Sequence, residues 1–233
     1  MTQSGDDAVE RVLAGDQAGT GARVTRPDFD AIVLAGGRAR RLGGASKPDV
    51  EVGGVALLDR ALAAVAGAVH VVVVGPPQVA RPGIATVLED PPDGGPVAGL
   101  AAGLDALPAD GPDLVVVLAC DVPGAGRVLP DLLAAATGGV PAGGPTSAEA
   151  TVVDGARMVG AEGRPQHLVA VYRRTSLRTA LDGLPAVHGA AVHRLVAGLR
   201  LVDVVDDDEA TADADTWADV ERLDATHSDR IDP

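Results

Sequence analysis

The chain has 233 residues, a formal net charge of −14, one cysteine and only 1% aromatic residues against 46% hydrophobic ones. That length suits one α/β domain with a full core, and the shortage of aromatics requires an aliphatic core with valine-built strands. The acidic charge repels a polyanion and no basic helix or basic–aromatic interleaving is present, so nucleic acid is set aside as a partner. The lone Cys120 excludes an internal disulfide and a multi-cysteine zinc site, in keeping with a reducing compartment.

Residues 1–28 are polar and lack apolar periodicity, which predicts a tail before a domain over 29–225, with a short C-terminal tail at 226–233. The domain opens with a strand at 31–34, a Gly/Arg loop, a helix at 55–66 and a strand at 69–74. The most apolar stretch of the chain, Ala61 to Val74, is broken by Gly67 and His70, and no basic-then-apolar leader opens the chain. A cytoplasmic protein with no membrane partner is expected. A strand at 84–88 leads through Glu89-Asp-Pro-Pro-Asp-Gly-Gly-Pro-Val-Ala-Gly99 into a helix ending near Leu107. The strand 114–118 then runs into Ala119-Cys120-Asp121.

These β-branched runs have no polar alternation, as expected of strands buried on both faces. Helices between them imply right-handed crossovers and an α/β fold, a three-layer, doubly wound, mostly parallel sheet of Rossmann-like form. A helix at 127–136 and a glycine-rich connection follow. Two strands near 151–153 and 168–172 form a candidate hairpin, and helices at 175–181 and 190–197, a strand at 199–205 and a helix at 216–223 complete the domain.

Ligands of such sheets sit beyond the carboxyl ends of the strands. The loop after Leu34, the loop after Leu88 and Asp121 all fall on that edge. Among nineteen basic residues the only lysine is Lys47, at the end of Leu34-Ala-Gly-Gly-Arg-Ala-Arg-Arg-Leu-Gly-Gly-Ala-Ser-Lys47. Gly36, Gly37, Gly43 and Gly44 allow close backbone approach, and Arg38, Arg40, Arg41 and Lys47 concentrate positive charge in an acidic chain, which points to polyphosphate. The loop is neither G-x-G-x-x-G nor G-x-x-x-x-G-K-[ST], so a nicotinamide site and an ordinary P-loop are disfavoured.

Asp121 follows an apolar strand beside this cationic loop, where a carboxylate could hold Mg²⁺ or cap the helix that begins nearby. Asp215-Thr216 precedes the last helix and has the same two readings, metal ligand or cap. The rest of the acidic run from Asp206 to Glu209 reads as solvated loop. Trp217 reads as a packing residue and Cys120 as small strand-end packing. The histidines show no metal-binding spacing.

The loop from Leu34 to Lys47 resembles the L-A-G-G-x-x-x-R-M-G-G-x-x-K signature of molybdenum cofactor guanylyltransferases, within the wider NTP transferase superfamily. Three later segments agree in order: Glu89-Asp90 with Gly95-Pro-Val-Ala-Gly99 resembles E-D…G-P-L-A-G, Cys120-Asp121-Val-Pro123 resembles C-D-x-P, and Asp213-Ala-Asp-Thr216 resembles N-x-N-T-P. The resemblance spans about residues 30–223. It implies that Leu34, Ala35, Gly36, Gly37, Arg41, Lys47, Asp90, Gly95, Pro96 and Gly99 bind the nucleotide, with Lys47 and Arg41 catalytic. It further implies that Asp121 and Asp215 hold Mg²⁺. GTP and molybdopterin would be the substrates, GMP transfer with pyrophosphate release the reaction, and molybdoenzymes or cofactor-pathway proteins the partners.

The chain departs from that pattern at Ser46, where the family usually has Asp, at Asp213 and Asp215 in place of asparagines, at Trp217 in place of proline, and at His167, where proline is common. Asp213 and Asp215 add charge where a neutral ligand is expected, which bears on the pterin side more than on the phosphate chemistry. Two other readings remain open from the residues: transfer to another small phosphate, such as a sugar or polyol phosphate, and a catalytically silent nucleotide-binding module.

Overall fold

The computed structural model describes residues 26–36, 46–138, 153–160, 162–206 and 212–228. Most of the predicted tail, the loop residues Gly37, Arg38, Arg40, Arg41, Gly43 and Gly44, and Asp207 to Glu209 lie outside them.

Nine strands alternate with six helices among the described residues. β1 (Phe29–Leu34) is followed by a 3-10 turn (Lys47–Asp49), a small hairpin of β2 (Glu51–Val52) and β3 (Val55–Ala56), and α1 (Leu57–Ala64). Next come β4 (Val71–Val74), β5 (Ala85–Val87), α2 (Pro96–Ala106), β6 (Leu114–Ala119) and α3 (Ala125–Ala136). β7 (Gly155–Val159), β8 (Pro165–Arg173), α4 (Arg174–Asp182), α5 (Val192–Leu195), β9 (Leu201–Val205) and α6 (Trp217–Ser228) finish the chain.

The main sheet has seven strands in the order β5-β4-β1-β6-β8-β7-β9. β8 runs antiparallel to both β6 and β7, and every other pairing is parallel. The expected doubly wound, mostly parallel sheet is therefore present. Its central strands are valine-rich and closed to solvent on both faces: Val72, Val73, Val115, Val116 and Val117 are buried, which is why their sequence shows no alternation. One face packs Ala31, Val33 and Val116 against Leu58 and Ala61 of α1 and Leu129 and Leu132 of α3. The opposite face packs Ile32, Val72 and Val117 against Val97, Leu100 and Leu104 of α2 and Leu177 and Leu181 of α4. A third cluster joins Val220 and Leu223 of α6 to Val52 of the small hairpin and Leu57 of α1.

Three expectations shift. The hairpin forms from Gly155–Val159 and Pro165–Arg173, downstream of the apolar run at 151–153, whose first two residues lie outside the described ones. Gly155 and Arg157 diluted the strand signal, and tertiary pairing with β8 and β9 overrides it. The helix expected from residue 55 starts at Leu57, because Val55 and Ala56 pair with β2. α6 extends to Ser228, past the end of its apolar periodicity.

Candidate active site at the carboxyl edge of the sheet

β1, β4 and β6 end on one edge, and a cavity of about 310 Å³ opens there, lined by Leu34, Val74, Ala119 and Asp121 from strand ends and by Gly36 and Lys47. Its other wall is the start of α2, with Gly95, Pro96 and Gly99, together with Glu89 and Asp93. Gly95 is the residue before α2 and has φ 83°, which a side chain would oppose, and Pro96 presets the first helical φ. A Cβ at Gly99 would press on Leu34 and Val74 at 3.4 Å, so glycine lets α2 lie close to the strand ends. The N-terminal end of α2 therefore borders the cavity, and the positive end of a helix dipole favours anions.

Lys47 opens the 3-10 turn, which Pro48 buries and which is closed by hydrogen bonds from Asp49 N to Ser46 O (3.0 Å) and from Val50 N to Lys47 O (3.2 Å). Arg81 links the turn to α1 through Asp49 (3.3 Å) and Asp59 (2.7 Å). With its backbone held in this way, Lys47 extends its Nζ to Asp121 Oδ2 at 2.8 Å and also hydrogen-bonds Asp215 Oδ1. Burial alone would lower the lysine's pKa, but the hydrogen bonds and charges of Asp121 and Asp215 outweigh it and raise it.

The segment carrying Asp215 is fixed by a hydrogen bond from Ala214 N to the Asp121 carbonyl at 2.9 Å. The capping role falls to Thr216. Its Oγ1 accepts from Asp219 N (3.2 Å) while its own N–H donates to Asp219 Oδ2 (2.9 Å), a reciprocal capping box. That bonding, led by the Thr216 hydroxyl, lowers the pKa of Asp219. Asp121 is likewise not a cap, since α3 starts after Gly124 with no side-chain cap. Both carboxylates are thereby left for the site.

Asp121 Oδ1 is buried and has no hydrogen-bond partner among the described residues. No group of three or more His, Cys, Asp or Glu side chains placed to hold a metal occurs among the described residues. Mg²⁺, however, takes one or two carboxylates and completes its shell with phosphate oxygens and water. An orphaned carboxylate oxygen on a pair of aspartates fits that requirement.

Of the residues expected at the nucleotide, Leu34, Gly36, Lys47, Gly95, Pro96 and Gly99 line the cavity. Ala35 instead lies in the core beneath it, and Asp90 is solvent-exposed. Gly37 and Arg41 fall outside the described residues. Sequence reasoning passed over Glu89 and Asp93, although an acidic residue just past the end of β5 carried the same positional signal as Asp121. Cys120 is buried and its thiol is pushed up to about 12 by burial, which removes it as a nucleophile near neutral pH. Trp217 is 52% exposed, contrary to the packing role expected of it.

A second, larger hollow of about 530 Å³ is lined by Asp215, whose carboxylate Lys47 reaches, and by Arg164, Gln166, Asp206, Asp213 and Asp219 among others. Burial and the like charges of Asp121 and Asp215 push the Asp213 carboxyl up to about 6. As the residue is exposed overall, we assign most of that shift to the charges.

A parallel sheet edge with a glycine-bounded helix N-terminus, a braced lysine and paired aspartates defines a nucleotide-handling α/β enzyme. Residues 31–204 match the MobA-like NTP transferase domain, and the chain belongs to that family. It is 33% identical over 204 residues to the molybdenum cofactor guanylyltransferase of Acidiphilium cryptum, covering 84% of this chain and 93% of that one. Its fold is shared with molybdopterin-guanine dinucleotide biosynthesis protein A from Archaeoglobus fulgidus, with TM-score 0.61 at 21% identity over 86% of this chain and 99% of that one. Rv0371c of Mycobacterium tuberculosis, solved as a complex with manganese, matches with TM-score 0.60 at 20% identity over 85% and 99% of the two chains. The chain is thus a nucleotidyltransferase. No helix among the described residues is long and apolar enough to cross a membrane.

Proposed function

We propose that the enzyme transfers GMP from GTP to a terminal phosphate of molybdopterin and releases pyrophosphate. The observation that carries this reading is the meeting of Lys47, Asp121 and Asp215 beside the α2 N-terminus, in a chain 33% identical to a molybdenum cofactor guanylyltransferase. In this reading the triphosphate lies over Gly36 and against the amides that begin α2. Lys47 supplies the point charge that offsets charge developing on the departing pyrophosphate. Arg41 adds a second cation from the glycine-rich loop. Gly37 belongs to the same cradle, and Asp90 would act from outside the cavity wall.

Asp121 and Asp215 would hold Mg²⁺, which supplies charge neutralisation on the phosphates. The acceptor enters from the larger hollow, so that its phosphate oxygen attacks the α-phosphorus in line and the bond to the β-phosphate oxygen breaks. No protein nucleophile is required, which agrees with the inert Cys120. The reaction places the enzyme among cytoplasmic small-molecule enzymes, with molybdoenzymes or cofactor-pathway proteins as downstream partners.

The test is pyrophosphate release by purified protein with Mg²⁺, each NTP in turn, and molybdopterin or a sugar or polyol phosphate. Release that needs both GTP and molybdopterin supports the proposal. Release with a sugar or polyol phosphate redirects it to another acceptor, and nucleotide binding without release defines a silent module.

A further inference from the structure

A single ammonium bridges the two carboxylates that the functional reading gives to a divalent cation. Lys47 Nζ lies 2.8 Å from Asp121 Oδ2 and hydrogen-bonds Asp215 Oδ1 as well, with its side chain 17% exposed. The contact leaves Asp121 Oδ1 buried and unpartnered among the described residues, so the lysine satisfies one oxygen of that carboxylate and not the other.

We propose that Lys47 is a place-holder: in the nucleotide-free enzyme its ammonium withholds Asp121 and Asp215 from a divalent cation, and an incoming triphosphate releases them by drawing the ammonium to itself. The inference rests on the nucleotidyltransferase reading of the site. The physical basis is charge and reach. Among these three groups the ammonium cancels one of the two carboxylate charges, so the trio attracts a free divalent cation less than the bare carboxylate pair would. A cation arriving alone must also expel the ammonium from both of its hydrogen-bonded carboxylates. When the triphosphate is present, the expelled ammonium gains phosphate oxygens and the carboxylates gain the cation. The turn of Pro48 holds the lysine backbone, so the ammonium would move by rotation of its four-carbon stem, a compact point charge on a flexible chain. Cation and nucleotide therefore bind synergistically, and by linkage each raises the other's affinity by the same factor. The enzyme thus binds the cation chiefly together with a nucleotide.

The decisive measurement is binding of Mn²⁺ alone to nucleotide-free protein, read from the resonance of free Mn²⁺, and repeated with a saturating non-hydrolysable GTP analogue. In the wild type the analogue should tighten Mn²⁺ by about 5- to 150-fold, the ordinary range of coupling. Lys47→Met should bind Mn²⁺ more tightly than wild type without nucleotide and show a smaller tightening by the analogue, the remainder coming from direct contact of phosphate oxygens with the cation. Adding Asp121→Asn to that variant should abolish the gained affinity. Lys47→Gln provides the same test should the methionine variant fail to fold, as judged by circular dichroism. Unchanged or weaker nucleotide-free Mn²⁺ binding in a folded lysine variant overturns the proposal. Failure to turn over GTP would instead sink the functional reading, since the nucleotide-free arm involves no turnover.

Discussion

Lys47 and Asp215, 168 positions apart, share a hydrogen bond, and the same ammonium reaches Asp121 at 2.8 Å. The contact exists because Ala214 N is tied to the Asp121 carbonyl and because Thr216 takes the capping work that would otherwise occupy Asp215. If the two aspartates act on one cation, Asp121→Asn and Asp215→Asn should each lower turnover and be strongly non-additive in combination. A double-mutant cycle on the rate of pyrophosphate release checks this, and fully additive losses would assign Asp215 to holding Lys47 alone.

Lys47→Ala should reduce turnover by roughly 10² or more, the scale of losing one preorganised electrostatic contact. Lys47→Arg should restore only part of the rate, because a planar fork does not fit where a compact ammonium bridges two carboxylates. Single-turnover kinetics at saturating nucleotide separate this from weakened binding, and near-normal rates would remove Lys47 from the chemistry.

At the opposite edge of the sheet, the Asp30 carboxylate is fully buried between His70 Nδ1 at 2.9 Å and the guanidinium of Arg174. Asp30→Ala leaves Arg174 without its counter-charge in the interior, so it should cost about 3–5 kcal/mol of stability. Turnover per folded molecule should hold, since the pair is remote from Lys47. Urea denaturation and activity normalised to folded protein are the two readouts.

Asp154 gives a pH dependence. Its carboxylate accepts from Arg200 N at 2.8 Å and from the Ser176 hydroxyl at 2.8 Å, and these bonds, led by the Arg200 amide, lower its folded pKa. A folded pKa below the unfolded one contributes stability that is complete above the unfolded carboxylate value and is lost as pH falls through the folded value. Asp154→Asn should therefore be less stable than wild type near neutrality and converge on it in acid. Melting temperatures measured from pH 7 downward test the slope, and parallel curves would contradict it.

Gly155 opens β7 with φ 157°, and a Cβ there would lie 2.2 Å from the Val171 carbonyl oxygen of β8. Backbone cannot yield as a side chain tip can, so Gly155→Ala should destabilise by about 1–3 kcal/mol, the usual cost of overpacking. Thermal unfolding of the purified variant measures it, and a change within error would show that β7 can move aside.

The apolar runs 31–34 and 114–118, the glycine-rich loop and the Gly95-Pro96 helix start all carry their meaning in adjacent residues, so the parallel sheet and its ligand edge were readable from the chain. The strand at Gly155–Val159 was not, because a glycine and an arginine interrupt its pattern and only pairing with β8 and β9 makes it a strand. Asp121 and Asp215 each had two local readings, cap or ligand, and local sequence cannot choose between them. The choice depends on which neighbour satisfies the helix end, and on a lysine distant in the chain that folding sets between the two carboxylates. Lys47 was legible in the sequence by its isolation among arginines. Its contact with Asp121 was not, since an ion pair across 74 positions leaves no periodic trace and arises only when the ends of β1 and β6 are aligned by hydrogen bonding.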